Sequence, residues 1–177
     1  MTAAHARREL LSLADWRALP DDEHSRLELQ EGLLVVQPSP TKVHALIVAK
    51  LMVQFWAQLP TGIAALTELE VVIDPATPAT VRIPDVVVCP EAPSARLDLD
   101  DVFLVVEVLS PGTRRTDLVT KRSEYADAGI EHYWIIDPAD RSLTALTLSP
   151  DGYQGHAQTG TFTTERPFPL TIDLDML

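Results

Sequence analysis

Two short runs constrain the fold of this chain more than anything else in it: "VRIPDVVVCP" at residues 81–90 and "VFLVVEVLS" at 102–110. Side chains alternate between the two faces of a strand. In the second run Phe103, Val105, Glu107 and Leu109 share one face, and Val102, Leu104, Val106 and Val108 the other. In the first run Val81, Ile83, Asp85 and Val87 share a face. Apolar residues on both faces are the pattern of strands inside a covered sheet. Each run carries a lone carboxylate, Asp85 or Glu107. A buried charge is costly unless something pairs with it. If the strands are neighbours, the two carboxylates approach and repel, and one takes up a proton unless a cation sits between them. Hard oxygen donors suit Mg²⁺ or Mn²⁺.

The segment after the second run, "PGTRRTDLVTKRSEYADAG", breaks at Pro111-Gly112 and then reads as a helix closed by Gly129. At ~3.6 residues per turn, Tyr125 lies about 20° and Lys121 about 60° from Leu118. Leu118 and Tyr125 are expected to be buried, so Lys121 is expected to point at the sheet, where it can neutralise charge or stabilise a developing negative phosphate. Asp117 stands at i,i+4 spacing from Lys121 and is expected to pair with it.

The rest of the 177 residues reads as one domain over 12–177 after a lead-in at 1–11. "SLADWRALP" is a short helix capped by Ser12, and "SRLELQEGLLVVQP" is a hairpin about Glu31-Gly32. A helix from Lys42 to Leu59 is apolar around much of its circumference and is expected to be largely buried. "GIAALTELEVVID" reads as a single strand, "PSARLDLDD" as a loop and "EHYWIIDP" as a strand with Tyr133 and Trp134 as core or interface aromatics. A hairpin turning at Asp151-Gly152 and extended pieces at 162–164 and 170–172 complete the chain. The central order is helix, strand, strand, strand, helix, strand. It implies an α/β fold, a mixed sheet flanked by helices with additional β-hairpins.

Charge narrows the function. The chain has 14 basic and 26 acidic residues, a net charge of −12, which argues against a general nucleic-acid coat. Four basic residues, Arg114, Arg115, Lys121 and Arg122, cluster in one segment. The single cysteine, Cys89, excludes an intrachain disulfide and a multi-cysteine zinc site, and suggests a reducing, cytoplasmic setting. No signal peptide is evident. The apolar runs fall short of the ~18 residues of a membrane helix, so no membrane partner is expected.

An Asp on the second strand, a Glu on the third and a nearby Lys within this element order resemble the PD-(D/E)XK nuclease superfamily, with Pro84-Asp85 as the "PD" signature. The pieces "LELQEGLLVVQPSPTKVH", "RIPDVVV" and "VVEVLSPGTRRTDLVTKRSEYADAGIEHYWIIDP" are similar more specifically to the Uma2 family of restriction-endonuclease-like proteins. The resemblance covers about residues 12–160 and implies a restriction-endonuclease-like α-β-β-β-α-β core. It also implies a divalent metal, Mg²⁺ or Mn²⁺, at Asp85 and Glu107 and hydrolysis of DNA assisted by Lys121. Leu109 stands where the general motif has its lysine, and Lys121 on the following helix is expected to replace it. Glu28 and His44 match positions that recur in the family and are further candidates. Glu68 and Glu70 share a strand face, and one of them is expected in the same cleft. Ser110 and Thr113 are either caps or phosphate contacts. Arg114 and Arg115 are either phosphate contacts or solvated surface residues. A cut in both strands needs two active sites, which implies a homo-oligomer, most simply a dimer. The alternative reading is a catalytically inactive nuclease-like scaffold that serves as a binding or regulatory module. The strong negative charge motivates it.

Overall fold

The computed structural model describes residues 10–20, 26–91 and 97–177. Most of the lead-in, Ser25 and residues 93–96 of the "PSARLDLDD" loop lie outside the described residues.

The chain opens with helix α1, Leu13–Arg17. Ser12 caps it, accepting from the Asp15 N–H while Asp15 accepts from the Ser12 N–H, a reciprocal capping box. Strands β1 (Arg26–Gln30) and β2 (Leu33–Gln37) form the expected hairpin. Its turn, Glu31 at φ 46° and Gly32 at φ 76°, has both residues in the left-handed region, as a tight hairpin demands. Gly32 is doubly constrained, because an added Cβ would meet Leu10 Cβ at 2.7 Å and the Leu11 nitrogen at 2.9 Å. Gly32→Ala is therefore expected to cost about 1–3 kcal/mol, read as a lower urea midpoint with an unchanged slope.

Helix α2, Lys42–Trp56, is capped by Thr41. It is shorter than expected, and it is not largely buried. Only the i, i+4, i+8 stripe of Ile47, Leu51 and Phe55 is enclosed, whereas Val43, Leu46, Val53 and Trp56 are exposed. One stripe is all that a helix lying on a sheet can hide.

Two expected strands are each split. "GIAALTELEVVID" becomes β3 (Ile63–Leu66) and β4 (Val71–Asp74), with Glu68 at φ 55° between them. "VRIPDVVVCP" becomes β5 (Thr80–Arg82) and β6 (Val86–Pro90). Since β3 pairs with β6 and β4 with β5, these are two legs of one long antiparallel hairpin that bends from one sheet into another. The bend falls at Ile83-Pro84-Asp85, because proline has no N–H to give to a ladder. Asp85 is therefore not a strand residue, and the alternation that placed it with Val87 does not apply.

The small sheet has the order β2-β1-β5-β4. The large, seven-stranded sheet runs β10-β9-β8-β7-β6-β3, with β11 also pairing β9. Here β7 is Leu104–Val108, β8 His132–Asp137, β9 Ser142–Ser149, β10 Gly152–Gln154 and β11 Ala157–Thr159. Strand β7 is antiparallel to β6 and parallel to β8, so the sheet is mixed. Gly152 pairs with Ser149, which moves the last hairpin's turn one residue back, to Pro150-Asp151. Strands β12 (Thr161–Thr164) and β13 (Leu170–Asp173) form a separate pair.

The parallel β7–β8 pair needs a crossover, and a helix supplies it. Residues Thr116–Lys121 are wound as a π-helix, which continues into α3, Arg122–Asp127. The wider turn changes which residues face the sheet. Asp117, Lys121 and Tyr125 are buried, whereas Leu118, expected inside, is 36% exposed. The Tyr133 O–H on β8 donates to the Asp117 carbonyl at 2.9 Å, tying the π segment to the sheet.

The core lies on both faces of the large sheet. Leu104, Val106 and Val108 pack with α2, Trp134 and the C-terminal strands. Val105 and Leu109 pack with Tyr125 and Tyr133 on the crossover side, where Glu107 also points. Among the described residues no helix is long and apolar enough to cross a membrane.

Candidate active site

The bend at Pro84 sets the site. β6 begins at Val86, opposite Val106, so the Val108 N–H has no strand partner there. The Asp85 side chain takes that place, accepting from Val108 N at 2.8 Å through Oδ2. Its Oδ1 lies 3.1 Å from His44 Nε2, in the first turn of α2. A broken strand thus holds Asp85 rigidly between β7 and α2.

Glu107, on β7, is almost wholly buried. Its Oε1 accepts from Lys121 Nζ at 2.7 Å and from the Tyr125 hydroxyl at 3.1 Å. Lys121 Nζ also lies 3.1 Å from Glu28 Oε1 and 3.6 Å from Asp117 Oδ1. Glu28, on β1, is fully buried. Its Oε1 also accepts from Ile83 N at 3.0 Å, and its Oε2 from Gln37 Nε2 at 2.7 Å and Arg82 Nη1 at 3.0 Å. Arg82 in turn grips Glu124 with Nε at 2.7 Å and Nη2 at 2.6 Å.

These groups open on a pocket of about 260 Å³. Glu28, His44, Asp85, Glu107, Asp117 and Lys121 line it, and residues 37–41 and 110–113 complete its wall. Pro38 lies across from Gly112, where an added Cβ would come within 3.4 Å of Pro38 Cγ.

The electrostatics show an excess of negative charge. Burial pushes Glu107 up to about 8; Lys121 opposes this, while Asp85 and Asp117 add to it. Burial likewise raises Asp117, against the pull of Lys121. Glu28 ends below the usual range, because Lys121, the Ile83 N–H and Arg82 outweigh its burial. Burial lowers Lys121, but Glu107, Glu28 and Asp117 more than reverse it, and the ammonium stays charged. A charged Lys121 and a protonated Glu107 are compatible, because Glu28 and Asp117 still hold the ammonium. Glu107 is the carboxylate left over.

Among the described residues no group of three or more His, Cys, Asp or Glu side chains is pre-assembled around a cation position. The chemistry still fits a hard divalent ion. The donors are carboxylate oxygens, the cluster is short of positive charge, and Asp117 Oδ1 is buried without a hydrogen bond among the described residues.

Of the candidates read from the sequence, the fold brings together Asp85, Glu107, Lys121, Glu28 and His44, with Ser110 and Thr113 at the rim. Ser110 acts locally as a cap, its Oγ accepting from Thr113 N at 3.3 Å and lying 3.0 Å from Thr113 Oγ1. Glu68 and Glu70 are not in the cleft. The strand they were read on breaks there, leaving Glu68 exposed and Glu70 accepting from Trp16 Nε1 at 2.9 Å. Arg114 and Arg115 do not line the pocket; Arg114 pairs with Asp137 at 2.7 Å, and Arg115 is exposed. Asp117 makes its expected pair with Lys121, but in the wall of the pocket rather than on a surface. Gln37, Arg82, Glu124 and the hydroxyl of Tyr125 were missed. Arg82 had a signal: it is a lone cation in the same apolar run as Asp85.

Comparison with known proteins bears on the fold and the family. Curated proteins give no match. A crystal structure from Anabaena variabilis, described as "a putative nuclease belonging to DUF820", superposes with a TM-score of 0.72 at 17% identity, covering 94% of this chain and 96% of that one. It shares the fold. The family model "Uma2: Putative restriction endonuclease" matches residues 13–176. That span holds both sheets, the crossover helix and every residue of the pocket, and the chain belongs to the Uma2 family.

Proposed function

We propose that this protein is a metal-dependent endonuclease that hydrolyses phosphodiester bonds of DNA, with Asp85, Glu107 and Lys121 as its catalytic residues. One observation carries the reading: one pocket holds Glu107 from β7, Asp85 from the bend that leads into β6, and a buried lysine whose ammonium touches Glu107. Family membership supports it, since restriction-endonuclease-like proteins generally use divalent metals.

Asp85 and Glu107 would hold Mg²⁺ or Mn²⁺, which when bound supplies positive charge to the scissile phosphate and acidifies an attacking water. The chain's own groups do the rest. The Val108 N–H and His44 fix the plane of the Asp85 carboxylate. Both hydrogen bonds to Glu107 fall on Oε1, which leaves Oε2 as the oxygen it would present to the cation. Lys121, held by carboxylates on three sides, keeps its charge and offers it to the phosphate in the transition state. A cut in both strands calls for two such sites, hence a homodimer.

The test is calorimetry with Mn²⁺ and Mg²⁺ on wild type and Glu107→Ala, followed by plasmid nicking with the same samples. Metal binding and nicking are expected in wild type, and both should vanish in the variant. The net charge of −12 favours a second reading, a scaffold without catalysis. Absence of both binding and cleavage in wild type would establish that reading instead.

A further inference from the structure

Arg82 is fully buried, yet it does not line the pocket. Its guanidinium divides its donors. Nε and Nη2 take both oxygens of Glu124, while Nη1 takes Glu28 Oε2. Glu28 then turns its other oxygen to Lys121 at 3.1 Å. Lys121 ends the π segment and Glu124 lies three residues on, in α3. The four side chains therefore close a ring: Lys121 to Glu28, Glu28 to Arg82, Arg82 to Glu124, and back along the helix. The ring spans the junction where the π-helix gives way to α-helix, and so fixes the rotation of the segment that aims the lysine.

We propose that Arg82 is a positioning residue, which holds Lys121 against Glu107 through Glu28 and Glu124. The role needs an arginine. A planar fork serves two partners in fixed directions, whereas a lysine is a single point charge that cannot hold both carboxylates at these angles. Glu124 lies outside the pocket, and its side chain reaches the site through Arg82.

The proposal rests on the nuclease reading for its kinetic consequence alone, and the test separates the two. Lys42, Lys50 and Lys121 are the only lysines in the chain. In protein carrying ¹³C,¹⁵N-lysine, the Lys121 ammonium signal is identified by its loss in Lys121→Met. It is expected to be slowly exchanging and displaced from the other two. Arg82→Lys and Glu124→Gln should each move it toward the free-lysine position. Each should also lower kcat about 10- to 100-fold with KM for DNA unchanged. In a Glu28→Gln background, adding Arg82→Lys should change kcat less than twofold, because the path is already cut. The proposal is overturned if the Lys121 signal stays in place in both single variants, or if the losses from Arg82→Lys and Glu28→Gln simply multiply. Should Arg82→Lys fail to fold, Glu124→Gln decides alone. Should wild type cut no nucleic acid, the lysine signal decides, and only the nuclease reading has failed.

Discussion

Glu107→Gln should abolish cleavage and yet make the metal-free protein more stable at pH 8. Glutamine keeps the Oε1 acceptor for Lys121 and Tyr125 and resembles the protonated acid. In the unfolded chain Glu107 titrates near 4.5; in the fold burial pushes it up to about 8. Between those values the native protein holds a proton that the unfolded chain has released. The stability Glu107 contributes is therefore complete below about pH 4.5 and is lost as pH rises through about 8. The glutamine variant lacks that loss, and its gain over wild type at pH 8 is expected to be at most about 4 kcal/mol. Asp117, also raised by burial, contributes a trend of the same sign in both proteins. Urea melts at pH 5 and pH 8 in the presence of a chelator measure it. Cleavage should fall about 10³-fold or more, because the residue surrendered is a charge the reaction uses. A variant less stable than wild type at pH 8 would mean that the ionised Glu107–Lys121 pair is net stabilising, and the charge-excess account of the site would be wrong.

Lys121→Met should lose on both counts. Among the described residues the lysine is the only cation in contact with Glu107, and the pair is almost wholly buried. Removing one partner of a buried pair leaves the other uncompensated, at about 3–5 kcal/mol. Glu28 keeps Arg82, Gln37 and the Ile83 N–H, so the burden falls on Glu107 and Asp117. Activity is expected to fall about 10²- to 10³-fold. The double variant Lys121→Met with Glu107→Gln should recover most of the stability and none of the cleavage. Unchanged urea midpoints in the single variant would show that solvent, not the lysine, neutralises the cluster.

The elements of the fold were legible wherever local pattern decided them. β7 reads off its valine and leucine run, interrupted by Glu107 alone, the first hairpin off Glu31-Gly32, and the crossover helix off its Pro-Gly start and Gly129 end. The strand breaks at Glu68 and Pro84 were less legible, although proline is a known interruption, because the apolar pattern on either side continues without a change of period. Only the pairing of β3 with β6 and β4 with β5 shows that the halves belong to different sheets. The phase of the crossover helix differs from the sequence expectation for a related reason. An α-helical wheel assumes one turn size, and the π segment replaces it with another, exposing Leu118 and burying Asp117.

By itself the sequence determined the chemistry available. It put a carboxylate in each of two apolar runs, a lysine on the next helix and a strongly negative balance, and each of these is a matter of residue type and short-range spacing. What only the tertiary structure decided is how those charges are shared. Glu28 and Arg82 are 54 positions apart in the chain, and Arg82 and Glu124 are 42. No local rule connects them. They meet because a hairpin bends at a proline and a helix widens by one residue per turn, and the burial that follows makes every unpaired charge costly enough to require its partner.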